Sequence, residues 1–342
     1  MHEGVFYNAL AVHLESDYRR LGDLKKKFGR WSEAWQAIAK ETDVDPEAQW
    51  KKLEVADIRL VMIEDEDYPK LLKEIPWPPF GIYIRGDLAD RSVARLAIVG
   101  TRKATAEGKE FAKKLARELA SQGAEIVSGL AFGIDGAAHT GALDAHGTTI
   151  AVLAHGLDRM YPRSHEGIAQ IIVAEGGALI SEYPPESPSY PSRFIERNRI
   201  VSGLSQGIII IEAPKESGAL ATARFASEQN REIMVVPGPA KHPNYAGSHE
   251  LIRSGALLVT GAGHVLEALG FEYGAPSIKS GEFRGTAEEA AILTLLKDHG
   301  APLSIDKIIE LTNLNAQTVN QTMTFLMMQG KVKEIGEGYA MS

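Results

Sequence analysis

The sequence has 342 residues, with 37 Lys and Arg against 45 Asp and Glu, a formal net charge of −8. At roughly 100–200 residues per domain, that length is enough for two or three domains with sizeable cores. Hydrophobic residues at 44% and charged residues at 24% exclude wholesale disorder, and zero cysteines exclude a disulfide scaffold, a thiol nucleophile and a cysteine-ligated metal. No apolar run reaches the roughly 18 residues of a spanning helix. The start, Met1-His2-Glu3-Gly4, lacks the basic and apolar regions of a secretory signal, so a cytoplasmic protein with no membrane partner is expected. The negative balance argues against a surface coated in nucleic acid, but not against a local basic cleft.

From about residue 5 to 55, Leu21, Leu24, Phe28 and Trp31 recur at spacings of three and four, and Trp35, Ile38 and Ala39 continue the period. A small helical domain over residues 1–56, of the SAM or helix-hairpin-helix kind, is expected. Its cations Arg19, Arg20, Lys25, Lys26, Lys27 and Arg30 read first as a solvated helix face and second as a DNA contact.

The next block, 57–275, opens with Asp67-Tyr68-Pro69, the prolines Pro76, Pro78 and Pro79, and a short strand at Gly81–Arg85. Strands are then predicted at Leu96–Val99, Glu125–Val127, Thr149–Leu153, Leu179–Ile180, Ile208–Ile211, Ile233–Val236 and Leu257–Val259. Helices are predicted between them at Ala106–Ser121, Ile134–Ala145, Ser164–Glu175, Ala219–Asn230 and Gly247–Ser254. Near-continuous apolar strands alternating with helices specify an α/β protein with a doubly wound, mostly parallel sheet covered on both faces.

After a linker at 276–285, in a Gly-, Pro- and Ser-rich stretch, residues 286–342 show helix periods at Ala287–Lys297, Ile305–Leu311 and Ala316–Met328. Two short strands follow at Lys331–Ile335 and Gly338–Met341, a winged-helix pattern. The presumed recognition helix, Asn315–Met328, contains no Lys or Arg, which argues against reading a duplex major groove. It is expected to pack on the main domain or to meet a protein partner.

Ligands of an open parallel sheet bind beyond the carboxyl ends of its strands. Those ends carry Gly100-Thr101-Arg102, Ser128-Gly129-Leu130, His155-Gly156, Ser181-Glu182, Glu212-Ala213 and Pro237-Gly238. Glycines let backbone N–H groups approach an anion, and Arg102 supplies a forked cation suited to phosphate. No G-x-G-x-x-G follows the first strand and no phosphate-loop motif is present, so neither a dinucleotide nor an NTP cofactor is expected. Phe194-Ile195-Glu196-Arg197-Asn198-Arg199 combines an aromatic with cations, as single-strand recognition requires, although a plain surface helix would also produce it. Asp135 and His139 share a helix face and read as a cap and a core histidine before an acid–base pair or metal site. Ser217-Gly218 reads as a helix cap that doubles as anion wall.

Taken together, Ala97–Arg102, Ser128–Asp135 with Ala138-His139, Phe194–Leu204, Glu212-Ala213 with Ser217–Leu220, and Val236-Pro237-Gly238 resemble the DprA/Smf DNA-processing family. Asp67-Tyr68-Pro69, Tyr83–Gly86, Leu251-Ile252 and Gly255-Ala256 continue the resemblance in order. It implies an extended Rossmann-like domain that binds single-stranded DNA without catalysis or cofactor. It also implies loading of the RecA recombinase, protection of incoming DNA in natural transformation, and a homodimer. On the matching motifs, Gly100, Thr101 and Arg102 would hold a phosphate, with Ser128 and Gly129 lining the same pocket. Phe194, Arg197, Asn198 and Arg199 would serve the adjoining contacts, with Ser217 and Gly218 on the wall. The sequence departs from the family at Phe132, where arginine is common, and at His249 and Ser164-His165, where asparagine is usual. Glu212 with Glu228 also resembles the carboxylate pattern of Rossmann-like nucleotide hydrolases. An enzyme acting on nucleoside monophosphates is therefore the alternative, though the loop Glu216-Ser217-Gly218-Ala219-Leu220 lacks their fuller glycine pattern.

Overall fold

The computed structural model describes residues 2–88, 94–271, 292–296, 299, 302–312, 314–328, 332–335 and 338–341. The expected linker at 276–285 and the start of the first tail helix lie outside these residues. The chain divides into two compact units, Met1–Ile278 and Lys279–Ser342.

Four helices open the first unit: α1 (Glu3–His13), α2 (Tyr18–Phe28), α3 (Trp31–Ile38) and α4 (Pro46–Val55); the short helices α5 (Lys70–Lys73), α11 (Ala246–Arg253) and α12 (Ala262–Ala268) lie further along it. Asp17 caps α2 through the Arg19 and Arg20 amides, and Asp45 caps α4, with Pro46 preset at its first helical position. Trp31 fills the centre, its ring 5.1 Å from Tyr7 and 5.5 Å from Phe80. The basic residues of α2 make the solvated face expected: Arg19, Arg20, Lys26 and Lys27 are exposed, and Lys25 pairs with Glu64 at 2.9 Å. These helices share the first unit with the sheet. Their core includes Met62 from the first strand, and the Asn8 Oδ1 accepts from the Tyr83 hydroxyl at 2.9 Å.

The sheet has nine strands: β1 (Arg59–Met62), β2 (Gly81–Gly86), β3 (Arg95–Gly100), β4 (Glu125–Ser128), β5 (Thr149–Leu153), β6 (Ala178–Ser181), β7 (Gly207–Ile211), β8 (Glu232–Val235) and β9 (Leu257–Leu258). Their order is β1-β2-β6-β5-β4-β3-β7-β8-β9, with β1/β2 and β2/β6 antiparallel and all other pairs parallel. The sequence periods miss β1, because Arg59 is exposed and four residues carry too little alternation to register.

Alternate side chains of the inner strands feed opposite cores. Leu96, Ile98 and Ile126 pack with α6 (Ala106–Ser121) and α7 (Ile134–Asp144). Val99, Val127 and Ile210 pack with α9 (Pro191–Gly203) and α10 (Gly218–Glu228). On the first of these faces α8 (Glu166–Ala174) covers β5. It begins two residues later than expected because Arg163–His165 forms a 3-10 turn. From β3 the chain steps outward through β4, β5 and β6, then returns to pair β7 on β3's other side, placing Gly100 opposite Ile211. The crevice of the fold therefore opens between the ends of β3 and β7. No described helix is long and apolar enough to cross a membrane.

The second unit contains a helical segment at 292–296, then α13 (Ile305–Thr312), α14 (Ala316–Met328), and the antiparallel pair β10 (Val332–Ile335) and β11 (Gly338–Met341). Ile308, Val319, Met323, Leu326 and Val332 form its core, and Leu303 bridges Tyr339 to complete the wing. Helix, helix-turn-helix and hairpin make this unit a winged helix, as expected.

Candidate nucleic-acid interface

A cleft of about 600 Å³ opens at the carboxyl ends of β3 and β7. Its first wall is the turn after β3. A Cβ on Gly100 would overlap the Ile211 carbonyl oxygen, so only glycine lets the two strand ends close. The Thr101 amide then donates to the Glu212 carbonyl at 2.8 Å, and the Thr101 hydroxyl accepts from the Lys103 amide at 3.3 Å. That turn delivers Arg102, exposed, with its guanidinium carbon 4.8 Å from the centre of the Phe194 ring.

The facing wall is α9, and its side chains divide by face. Phe194, Arg197 and Asn198 line the cleft. Arg197 is buried; its Nη1 donates to the carbonyls of Gly129 (2.8 Å) and Val152, and its Nε donates to the Asn198 Oδ1 at 3.2 Å. Burial lowers the Arg197 pKa to about 10, with Asp135 opposing the shift, so the group stays cationic at neutral pH. Asn198 donates to the Gly218 carbonyl at 3.3 Å and ties α9 to the start of α10, which Ser217 caps through the Ala219 amide at 3.2 Å. The cap expected at Ser217 is present, and both residues line the cleft.

Arg199 departs from expectation. It lies in the interior, donating to the Glu182 Oε1 at 2.6 Å with its guanidinium 5.8 Å from the Tyr18 ring. Burial opposes its charge, but Glu182 more than offsets this and raises its pKa. Arg193 behaves likewise, donating to the Pro188 and Glu15 carbonyls and stacking on Tyr183 and Tyr190. Helical spacing places these arginines on one element, but only the tertiary fold decides which of them faces the cleft.

Ser128 is buried, donates to the Ile98 carbonyl at 2.7 Å and stands behind the lining. Gly129 lies directly beneath it: a Cβ there would sit 2.5 Å from the Arg197 Nη2 and 2.7 Å from the Asp135 Oδ2. Asp135 is not the helix cap expected. Its Oδ2 turns back to accept from the Gly129 and Ala131 amides at 3.2 and 3.4 Å, on the floor of the cleft. Burial raises its pKa, against the pull of Arg197. His139 diverges from it into the core, where its Nδ1 meets the Thr149 hydroxyl at 2.8 Å; burial depresses its pKa to about 3 and keeps it neutral.

The carboxylates of the hydrolase alternative stand outside the cleft lining. Glu212 accepts from the Thr105 amide (2.9 Å), the Thr105 hydroxyl, the Asn244 amide (2.8 Å) and the Tyr245 hydroxyl (3.2 Å). Burial opposes its charge, but these donors prevail and lower its pKa. It staples the turn bearing Arg102 to the end of β7. Glu228 is exposed at the far end of α10.

Of the three departures from the family pattern, Phe132 is 48% exposed and packs edge-on to His165 at 5.3 Å. The His165 Nδ1 is 3.0 Å from the Leu130 carbonyl, and the His249 Nε2 is 3.1 Å from the Gly238 carbonyl. None of these side chains lines the cleft.

Lys103 and Tyr161 do line it, and sequence reasoning missed both. Tyr161 follows β5 in the loop beyond His155-Gly156, so the strand-end rule carried five residues further would have found it.

Residues 59–270 match the family model described as DNA recombination-mediator protein A, and residues 280–338 match the DprA winged helix domain. The chain is 42% identical over 219 residues to Protein Smf of Escherichia coli, an alignment covering 64% of this chain and 59% of that protein. It is 41% identical over 213 residues to DNA processing protein DprA of Bacillus subtilis, covering 62% and 71%. Among solved structures, DNA processing protein A of Streptococcus pneumoniae superposes with a TM-score of 0.63 at 30% identity, covering 78% of this chain and 93% of that one. DNA processing protein A of Helicobacter pylori, described for its single-stranded DNA binding mode, gives 0.56 at 32%, covering 62% and 95%. The family resemblance carried by the sequence motifs and the architecture of the sheet thus agree: the chain belongs to the DNA recombination-mediator protein A family.

Proposed function

We propose that this cleft binds single-stranded DNA and that the protein is a non-enzymatic recombination mediator. In this reading the turn Gly100–Arg102 holds a phosphate, with Arg197 beneath it and the helix start at Ser217-Gly218 completing the anion site. Phe194 takes a base on its π face. The observation that carries the reading is Arg102: an exposed guanidinium stacked on an aromatic, at the switch point of a parallel sheet, above a second buried arginine. Arg102, Lys103 and Arg197 line the cleft together with Asp135 and Glu216, a local positive balance on an acidic molecule. The similarity to the Helicobacter pylori protein supports the same ligand. Loading of RecA, protection of incoming DNA in natural transformation, a homodimer and a cytoplasmic setting complete the proposal, supported by family membership.

Titrating the full chain with a labelled oligothymidine, in parallel with nucleoside monophosphates, tests it. The expected result is salt-sensitive binding of the oligomer with no release of free base. Preferential binding or cleavage of the monophosphates would favour the hydrolase.

A further inference from the structure

The wall of the cleft continues past Phe194. Tyr161 lines the same cleft, is 49% exposed, and sets its ring 5.6 Å from that of Phe194 with the planes at 60°. Phe194 therefore touches two groups suited to stacking, the Arg102 guanidinium at 4.8 Å and the Tyr161 ring. The loop leading to Tyr161 is anchored: the buried His155 ring meets the Gly156 carbonyl at 2.9 Å, the Gly156 amide donates to the Ser187 carbonyl at 3.1 Å, and Asp158 accepts from the Glu186 amide at 2.7 Å. A half-exposed aromatic on an anchored loop is a preorganised surface, which loses little freedom when a planar group lands on it.

We infer that Tyr161 is a second base-stacking position, taking the nucleotide adjacent to the one on Phe194. The cleft then engages consecutive bases of one strand, with the phosphate cations at one end of an aromatic wall. Because every base presents a π face, this position tolerates any base. The inference rests on the single-stranded DNA reading of the cleft and deepens it.

Stacking and phosphate contacts separate experimentally, since only the latter release counterions. The full chain is titrated with oligothymidine and with an abasic oligomer of equal length, which keeps the phosphates and lacks the bases. Tyr161→Ala is expected to weaken oligothymidine binding about five-fold or more while leaving its log–log salt slope and abasic binding unchanged. Tyr161→Leu, which keeps apolar cover without a π face, should lose as much, and Tyr161→Phe should bind like wild type. Unchanged oligothymidine affinity in the Ala and Leu variants, or an equal loss on the abasic chain, would overturn the role of Tyr161. Wild-type protein that binds neither oligomer would overturn the DNA reading itself.

Discussion

At the residue scale, Arg102, Arg197 and Arg199 put one functional group to three uses. Arg102 is exposed on an aromatic, Arg197 is held by backbone carbonyls under the cleft, and Arg199 is closed off by Glu182. Glu212 shows the complementary case of a carboxylate spent entirely on structure. All four of its contacts are donors, so an amide in its place turns N–H toward N–H or O–H. Glu212→Gln should destabilise the fold by about 1–3 kcal/mol near neutral pH, measured by urea unfolding. Because the fold lowers the Glu212 pKa, its contribution is present above the ordinary carboxylate range and is lost as pH falls through the lowered value. The gap between wild type and variant should accordingly narrow in acid, and a gap that widened would contradict this role.

At the element scale, α9 joins the cleft to the N-terminal helices. One side carries Phe194, Arg197 and Asn198; the other latches Arg193 onto Glu15 and Arg199 beside Tyr18. Arg199→Met leaves Glu182 buried without its cation and should cost about 3–5 kcal/mol. Adding Glu182→Leu should recover most of that, and unfolding midpoints of the two variants measure it. The sheet was largely legible in the sequence because its central strands are apolar runs buried on both faces, as at Gly207–Ile211. Helix α9 was legible only as a segment rich in cations. The 3.6-residue period relates its side chains to one another but carries no sign of Glu182, the partner that removes Arg199 from the cleft. Tyr161 escaped for another reason, since it lies in an irregular loop where no period applies.

At the scale of the whole molecule, an acidic chain concentrates cations where two strands part, and charge totals conceal this. The winged helix presents a recognition helix, α14, without Lys or Arg, so the phosphate term of duplex binding is missing from it. Deleting the chain from Gly285 onward should therefore leave oligothymidine affinity nearly unchanged, as read by fluorescence anisotropy. A large loss would assign the tail a share of the DNA contact. The winged-helix architecture was readable from three helix periods and a terminal hairpin pattern. The docking of the N-terminal helices onto the sheet was not, because it depends on contacts such as Tyr83 with Asn8, 75 residues apart.

The central claim is that Arg102 holds a phosphate of a single strand at the ends of β3 and β7. Its most direct test is the salt dependence of oligothymidine binding by wild type and Arg102→Ala. Each neutralised phosphate contributes about −0.7 to the log–log slope, so the variant should bind more weakly whatever the base sequence, with a slope shallower by about that amount. Affinity and slope identical to wild type would contradict the account.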